Sequence, residues 1–223
     1  MVDFALQRLN MVESQVRPSD LTDRRITNAM TRVPREAYLP ASLQGVAYSD
    51  RELPLSGIEG ANADRECLAP RTIARMIQEL VINEHDIVLL VGAGCGYEAA
   101  LLSHLAQTVV GTESDAALAQ WAETALTGQD VSNAVIVQAA LRDGYPSEGP
   151  YDAILINGGI DRIDEGLLDQ LKDGGRLVAI LRRGGVCRLT LWRRVGEHFS
   201  SVEHAIATAN VLPSFDTKAT FEF

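Results

Sequence analysis

A glycine-rich turn and a later acid are the residues of this sequence best suited to bind a ligand. The turn, Gly-Ala-Gly-Cys-Gly at positions 92–96, follows the apolar run 87–91 and precedes a helical pattern. Glycines at such a strand-to-helix turn let the backbone pass close to a ligand, and the free N–H groups of the helix start can donate to it. Glu113 ends the next apolar run, where a carboxylate can accept both hydroxyls of a ribose.

The spacing of the glycines indicates the kind of ligand. A dinucleotide-binding turn has a third glycine or alanine where this chain has Tyr97. The pattern G-x-G-x-G suits a nucleoside with an amino-acid tail better than one with a pyrophosphate, and we interpret it as a site for S-adenosylmethionine. A glycine-rich turn alone is also typical of a tight connection without a ligand. Glycines and an acid at matching places on two successive strands favour the ligand.

Strands and helices that could position this turn alternate from residue 86 onward. Runs rich in apolar and β-branched residues predict strands at 87–91, 108–112, 134–138, 152–156, 176–181, 187–193 and 219–223. Helical spacing predicts helices at 97–106, 114–126 and 164–171, the second of them capped by Ser114. This alternation is typical of an α/β fold, with a mostly parallel, doubly wound sheet and helices on both faces.

The first eighty residues show helical spacing and a loop rather than alternating strands and helices. Apolar spacing predicts helices at 3–16, from about 20 to 33, and at 72–81, while the stretch 49–71 reads as a long ordered loop. Long structured loops are often functional. We therefore predict a helical N-terminal extension with a substrate loop at 1–80, followed by a ligand-binding domain at 81–223, in one compact unit.

Composition excludes several classes of protein. The chain has 223 residues, 46% hydrophobic and 22% charged, which is typical of a globular domain. Thirty acidic against twenty basic residues give a net charge of −10, which disfavours a nucleic acid as partner. Three scattered cysteines without C-x-x-C spacing, and four histidines without an H-x-x-x-H pair, predict reduced thiols and no metal site. Since neither a secretory signal nor a membrane-spanning apolar run is visible, we expect a cytoplasmic protein.

Several segments, in order from about residue 10 to 215, resemble one family. They are VPREAYLP at 33–40, AYSDRELPL at 47–55, the helix start at 69–76, VLLVGAGCGY at 88–97, the Gly-Tyr-Pro and Pro-Tyr-Asp pieces at 144–152, and GGRLV at 174–178. Together they resemble the protein-L-isoaspartate O-methyltransferases, a branch of the class I methyltransferases that use S-adenosylmethionine.

The resemblance implies a fold, a reaction and a set of contacts. The fold would be Rossmann-like, with a seven-stranded sheet whose final strand order the sequence leaves open. The reaction would be methylation of the side-chain carboxylate that arises when an aspartate isomerises into the backbone, which begins its repair. The partner would be a protein or peptide with isoaspartyl residues. The cofactor contacts would be Gly92, Ala93, Gly94, Gly96, Tyr97, Glu113, Ala140 and Leu141.

Departures from the family pattern lie in the loop and beside the cofactor. With Pro70 aligned, Leu68 stands where the family has a serine at the methyl-transfer site, and Glu66 stands where it has a threonine. Leucine cannot hydrogen-bond, and a charged Glu66 would repel an incoming carboxylate. The family's acid in the first strand is Leu90 here. Its Gly-Asp-Gly after the third strand aligns with 139–141, and Asp143 is the nearest acid that could substitute.

These departures leave three functions open. The first is carboxyl methylation for protein repair, at a rate reduced by the loss of the serine. The second is a methyltransferase for another acceptor, such as a small molecule, with Glu66 as base or Asn157 beside the acceptor. The third is a non-catalytic module of the same fold. The acceptor and the oligomeric state, a homodimer included, are not fixed by the sequence.

Overall fold

The computed structural model of the chain describes residues 2–61 and 64–216, which form seven helices and nine strands. The helices are α1 (Phe4–Met11, continued by a π-helical turn, Val12–Val16), α2 (Arg24–Arg32), α3 (Ala41–Gln44), α4 (Pro70–Leu80), α5 (Tyr97–Ser103), α6 (Ala116–Gly128) and α7 (Glu165–Leu168). The strands are β1 (Leu53–Pro54), β2 (Glu66–Cys67), β3 (Ile87–Val91), β4 (Thr108–Glu113), β5 (Ala134–Gln138), β6 (Tyr151–Ile160), β7 (Leu171–Arg183), β8 (Val186–Val195) and β9 (His198–Ile206).

Seven of these strands form one sheet, in the order β5-β4-β3-β6-β7-β8-β9. The pairs from β5 through β7 are parallel, and β8 and β9 are added as antiparallel neighbours through short turns. The strand order reverses between β3 and β6, so the carboxyl ends of β3, β4, β5 and β6 meet at one edge. In parallel α/β sheets this edge is where ligands bind. The predicted α/β class and seven-stranded sheet are confirmed.

The sheet is covered on both faces, and β3 shows how one strand serves both. Val88 and Leu90 belong to the larger core cluster, with α2, α4, α5 and α6, whereas Leu89 and Val91 belong to the cluster on the opposite face. A strand buried on both faces has no place for a polar alternation, which explains its unbroken apolar run. The second face is covered by α7 and by the segment that contains Leu212.

The N-terminal segment is packed onto the larger core rather than standing apart. Met11 and Met30, from α1 and α2, are buried in the same cluster as Leu101 of α5 and Leu191 of β8. The division of the chain at residue 80 stays a prediction. No helix among the described residues is both long and apolar enough to cross a bilayer.

The predicted bounds agree best for the central strands. Strands at 87–91 and 134–138 are confirmed residue for residue. The helix after β4 is capped by Asp115, whose carboxylate accepts from the N–H groups of Ala117 and Leu118, so the prediction of a Ser114 cap is wrong. Residues 171–175 belong to β7, so α7 ends earlier than predicted, and the stretch 49–71 contains the hairpin of β1 and β2.

One edge of the described sheet was not predicted. Strand β9 was not predicted, because most of its residues are exposed and its side chains show little alternation. An exposed edge strand of this kind carries little hydrophobic signal. The strand predicted at 219–223 lies outside the described residues.

Candidate functional site

The glycine turn between β3 and α5 is built from left-handed backbone. Gly92, Gly94 and Gly96 have φ values of +83°, +56° and +89°, which side chains other than glycine rarely adopt. A Cβ on Gly96 would lie 3.2 Å from the backbone of Ala122 in α6, so this glycine also allows the close packing of two elements. The N–H groups of Gly92 and Ala93 donate to the carbonyl of Thr112 at 2.8 and 2.9 Å, which ties the turn to the end of β4.

Glu113 lies at the end of β4 with its carboxylate directed at this turn. It is fully buried, and its Oε2 accepts from the N–H of Gly94 at 2.8 Å. Its Oε1 accepts from the N–H groups of Ser114 at 2.8 Å and Asp115 at 3.2 Å. These three backbone donors hold the carboxylate in place beside the turn. The structure thus brings together the glycines and the acid that the sequence singled out.

Arg65, which precedes β2, occupies the space between these two elements. Its Nη1 lies 3.1 Å from both carboxylate oxygens of Glu113, and its Nη2 donates to the carbonyl of Gly92 at 3.0 Å. Both side chains are buried, with 1% of Arg65 and none of Glu113 exposed. Sequence reasoning missed Arg65, because its partner lies 48 residues further along the chain and no local pattern connects them.

Three more side chains close this space. Asn157, in β6, donates from its Nδ2 to the carbonyl of Gly92 at 3.1 Å, while its buried Oδ1 has no hydrogen-bond partner among the described residues. A Cβ built on Gly92 would meet Leu212 at 3.3 Å, and one on Gly94 would meet Leu55 at 3.3 Å. The glycine turn at 92–96 and Glu113 thus form a cradle, and the chain's own side chains fill it.

The segment after β5 contains Ala140 and Leu141, which the family resemblance predicted to contact the cofactor. The N–H of Ala139 donates to the carbonyl of Glu113 at 3.0 Å, so the segment is held beside the acid. Ala140 is exposed, Leu141 is buried in the core of the second face, and Asp143 is exposed to solvent. Leu141 can offer only its backbone to a ligand here.

The substrate loop places Leu68 and Glu66 differently. Leu68 is fully buried in the larger core cluster, and its carbonyl accepts from Nη2 of Arg35 at 2.8 Å. Glu66 is half-buried and accepts from the backbone N–H of Asn210 at 2.7 Å and from its Nδ2 at 2.9 Å. Burial raises the pKa of Glu66, and the nearby acids Glu52 and Asp64 act in the same direction, against the hydrogen bond from Asn210.

Behind the glycine turn lies a buried polar cluster that the sequence did not reveal. The ligand atoms of Cys67, Cys95 and Glu98 lie within 4.8 Å of one another, and the Sγ of Cys67 donates to Oε1 of Glu98 at 3.5 Å. Arg35 is also fully buried, with its guanidinium 5.0 Å from the ring centre of Tyr97. This nearby cation compensates the buried carboxylate. Burial raises the pKa of Glu98 and Arg35 opposes that shift.

Tyr97 belongs to this cluster rather than to the open edge of the sheet. Its ring is fully buried and packs edge-on against Tyr38, with ring centres 5.9 Å apart. Its hydroxyl has no hydrogen-bond partner among the described residues, and burial raises its pKa. The side chain thus joins the glycine turn to the N-terminal segment, while its backbone begins α5.

Comparison with known proteins gives concordant matches. Residues 7–211 match the model of the family described as protein-L-isoaspartate(D-aspartate) O-methyltransferase. A protein-L-isoaspartate O-methyltransferase of Herpetosiphon aurantiacus is 38% identical over 193 residues, which are 86% of this chain and 84% of that one. One of Methanoculleus marisnigri is 40% identical over 173 residues, 78% of this chain and 76% of that one.

Solved structures show the same fold at lower identity. A protein-L-isoaspartate O-methyltransferase superposes with a TM-score of 0.81 at 21% identity, covering 92% of this chain and 65% of that one. A Plasmodium falciparum protein assigned to the same activity, in complex with S-adenosyl-L-homocysteine, superposes with a TM-score of 0.76 at 18% identity. That match covers 95% of this chain and 99% of the other.

Proposed function

The chain belongs to the protein-L-isoaspartate O-methyltransferase family, and from that premise we propose that it methylates the side-chain carboxylate of isoaspartyl residues in proteins or peptides. S-adenosylmethionine is the cofactor of this family and supplies, when bound, an electrophilic methyl group. The observation that carries the proposal is the arrangement of three left-handed glycines and Glu113 at the carboxyl ends of β3 and β4. We expect the reaction to take place in the cytoplasm.

Each part of the cradle has a role in holding the cofactor. The carboxylate of Glu113 is the acceptor for the ribose hydroxyls, and the glycine turn is the surface for the amino-acid tail. The unpartnered Oδ1 of Asn157 is an acceptor suited to an ammonium group, because a buried polar atom without a partner costs free energy until a donor reaches it. These donors and acceptors fit the cofactor, although Arg65 holds two of them.

The acceptor needs positioning rather than activation. An isoaspartyl carboxylate is ionised at neutral pH, so no general base has to take its proton. The main tasks of the protein are to orient the two reactants and to exclude water. A leucine at position 68 removes one orienting hydrogen bond, and the loss of one such bond typically lowers the rate by about 10²–10³-fold. On this reasoning Leu68 slows the reaction without abolishing it.

A direct test is methyl transfer to a synthetic peptide. The isoaspartyl peptide should gain a mass of one methyl group in the presence of S-adenosylmethionine, and the ester should release methanol on standing. A peptide of the same sequence with a normal aspartyl residue is the matched control and should gain nothing. Binding of S-adenosylhomocysteine without methylation of either peptide would refute this acceptor.

A second candidate is a methyltransferase of another acceptor, favoured by Leu68 in the place of the expected serine and by the acidic Glu66. A neutral or cationic acceptor would meet no repulsion from Glu66. Consumption of S-adenosylmethionine with a neutral or cationic small molecule, but not with the isoaspartyl peptide, would establish it. Cofactor binding without turnover on any acceptor would instead favour a non-catalytic module.

A further inference from the structure

The described structure holds the cofactor cradle closed with a residue of its own chain. We propose that Arg65 competes with the cofactor for Glu113, so that the nucleoside binds only after this guanidinium has left the cradle. The inference rests on the proposed function, since it takes the cradle to be the site of S-adenosylmethionine. Arg65 would then determine how much of the protein is competent to bind.

The first support is that Arg65 uses the polar atoms a nucleoside would need. Its guanidinium meets both oxygens of Glu113 at 3.1 Å and the carbonyl of Gly92 at 3.0 Å. A carboxylate with these contacts, and with three backbone N–H donors already in place, has no free direction for a pair of ribose hydroxyls. The two occupants therefore exclude each other at Glu113.

The second support is steric. A single added carbon on Gly92 would lie 2.7 Å from Nη2 of Arg65, so the guanidinium is in van der Waals contact with the turn. Since the glycines of such a turn serve to admit a ligand to the backbone, Arg65 stands in the place they leave free.

The third support is a buried oxygen of the cradle that Arg65 leaves without a hydrogen bond. Asn157 is 2% exposed, and its Oδ1 has no hydrogen-bond partner among the described residues. Buried side-chain oxygens are usually paired, so an orphan beside the glycine turn indicates a donor supplied from outside the chain. The closed state thus retains, beside the glycine turn, a buried acceptor that a ligand's donor can reach.

The fold provides a short route for release. Arg65 precedes a hairpin of two residue pairs, Leu53 with Cys67 and Pro54 with Glu66. One further hydrogen bond, from the N–H of Leu55 to the carbonyl of Arg65 at 2.7 Å, fixes its backbone. Release breaks the contacts of Arg65 with Glu113 and Gly92 and, where the loop follows, those of Glu66 with Asn210, while the strand pairs of the central sheet stay in place. Segments of this kind can open without unfolding of the whole chain.

The test is calorimetric titration of the full chain with S-adenosylhomocysteine. The wild type is compared with Arg65→Ala, which removes the competitor, and with Arg51→Ala, which removes the same charge from an exposed position. When only a fraction of a protein is open, the apparent Kd is raised by that fraction. We expect Arg65→Ala to bind about tenfold more tightly or better, and Arg51→Ala to bind as the wild type does.

The other outcomes separate this inference from the proposed function. Equal affinity of wild type and Arg65→Ala would overturn the inference and leave the cofactor in place. Weaker binding by Arg65→Ala would also overturn it, because Arg65 would then be a ligand contact. No binding by either protein at millimolar ligand would overturn both, since the cradle would not take the nucleoside even when emptied.

A measurement on the unaltered chain covers the case in which Arg65→Ala does not fold. Hydrogen exchange at the amide of Leu55 reports on the backbone of Arg65, to which it donates. Release of Arg65 should raise exchange at Leu55 when S-adenosylhomocysteine is added, although ligands usually lower exchange near their sites. Unchanged or lower exchange in the presence of bound ligand would contradict the displacement.

Discussion

The ion pair of Arg65 and Glu113 allows a quantitative prediction about stability. Glu113→Gln keeps the shape of the side chain and removes its charge. The guanidinium of Arg65, which is almost fully buried, would then have no compensating charge. Breaking a buried pair in this way typically costs about 3–5 kcal/mol. The glutamine amide has one acceptor oxygen where the carboxylate has two. One of the backbone N–H groups that now donate to the carboxylate would therefore lose its acceptor.

The reverse substitution should cost less. Arg65→Met leaves Glu113 with three backbone donors, which keep its charge stabilised, and the apolar chain fills much of the same volume. Losing the charged hydrogen bonds should then cost about 2 kcal/mol. The double variant removes both charges, and a neutral pair in a buried site is often no less stable than the ions. We expect it to lose about 2–3 kcal/mol, less than Glu113→Gln alone.

Urea unfolding followed by circular dichroism measures these differences. With an m-value of about 2 kcal/mol/M, a loss of about 4 kcal/mol moves the midpoint of Glu113→Gln down by about 2 M. The coupling free energy from the four proteins should be about 3 kcal/mol. A cycle on the exposed pair of Arg71 and Asp50, whose nitrogen and oxygen lie 3.3 Å apart, is the control and should give under about 1 kcal/mol. Additive losses at Arg65 and Glu113, within about 0.5 kcal/mol, would refute the reasoning.

Three further predictions concern the loop and the thiols. Leu68→Ser should lower the free energy of unfolding by about 3–5 kcal/mol, because Leu68 is fully buried in the core. Urea unfolding measures this loss, with Leu68→Ala as control, and an unchanged midpoint would contradict it. Glu66→Gln should raise kcat/KM on an isoaspartyl peptide about two- to fivefold. Because the pKa of Glu66 is raised, the wild-type rate should fall as rising pH ionises it, and an equal pH profile in both proteins would exclude its charge as the cause. Ellman's reagent at pH 8 should titrate Cys187 alone in the native protein, because Cys67 and Cys95 are buried. The hydrogen bond with Cys95 and burial also raise the pKa of Cys67. A second fast-reacting thiol would be inconsistent with this.

The central strands and the glycine turn could be read from the sequence because their signals are local. An apolar run buried on both faces, followed at once by Gly92 and Gly94, specifies a strand and a left-handed turn within eight residues. Glu113 could be found because β4 pairs with β3 in parallel and therefore ends at the same edge. The helix cap was misread by one residue, because Ser114 and Asp115 are both good capping residues and only the backbone geometry decides between them.

The buried side chains that fill the site could not be predicted in the same way. Arg65 and Glu113 are brought together by the return of the substrate loop over the sheet, and no spacing along the chain encodes that approach. Arg35 is similar, since its carbonyl partner is 33 residues away. A basic residue in a loop is ordinarily solvated. The burial of Arg35 and Arg65 can therefore be recognised only in the structure, where the groups that compensate their charges are seen.

Leu68 and Arg65 act together on the position of the substrate loop. Leu68 is packed into the core, and Arg65, three residues earlier, is inserted into the cradle, so both side chains hold the loop against the sheet. A serine at position 68 would not stabilise this buried position, because its hydroxyl would need a hydrogen-bond partner there. Leu68 thus favours the same loop position in which Arg65 covers Glu113. Leu68→Ser alone should therefore weaken the packing of the loop but leave Arg65, which is held by Glu113 and Gly92, as the barrier to cofactor binding.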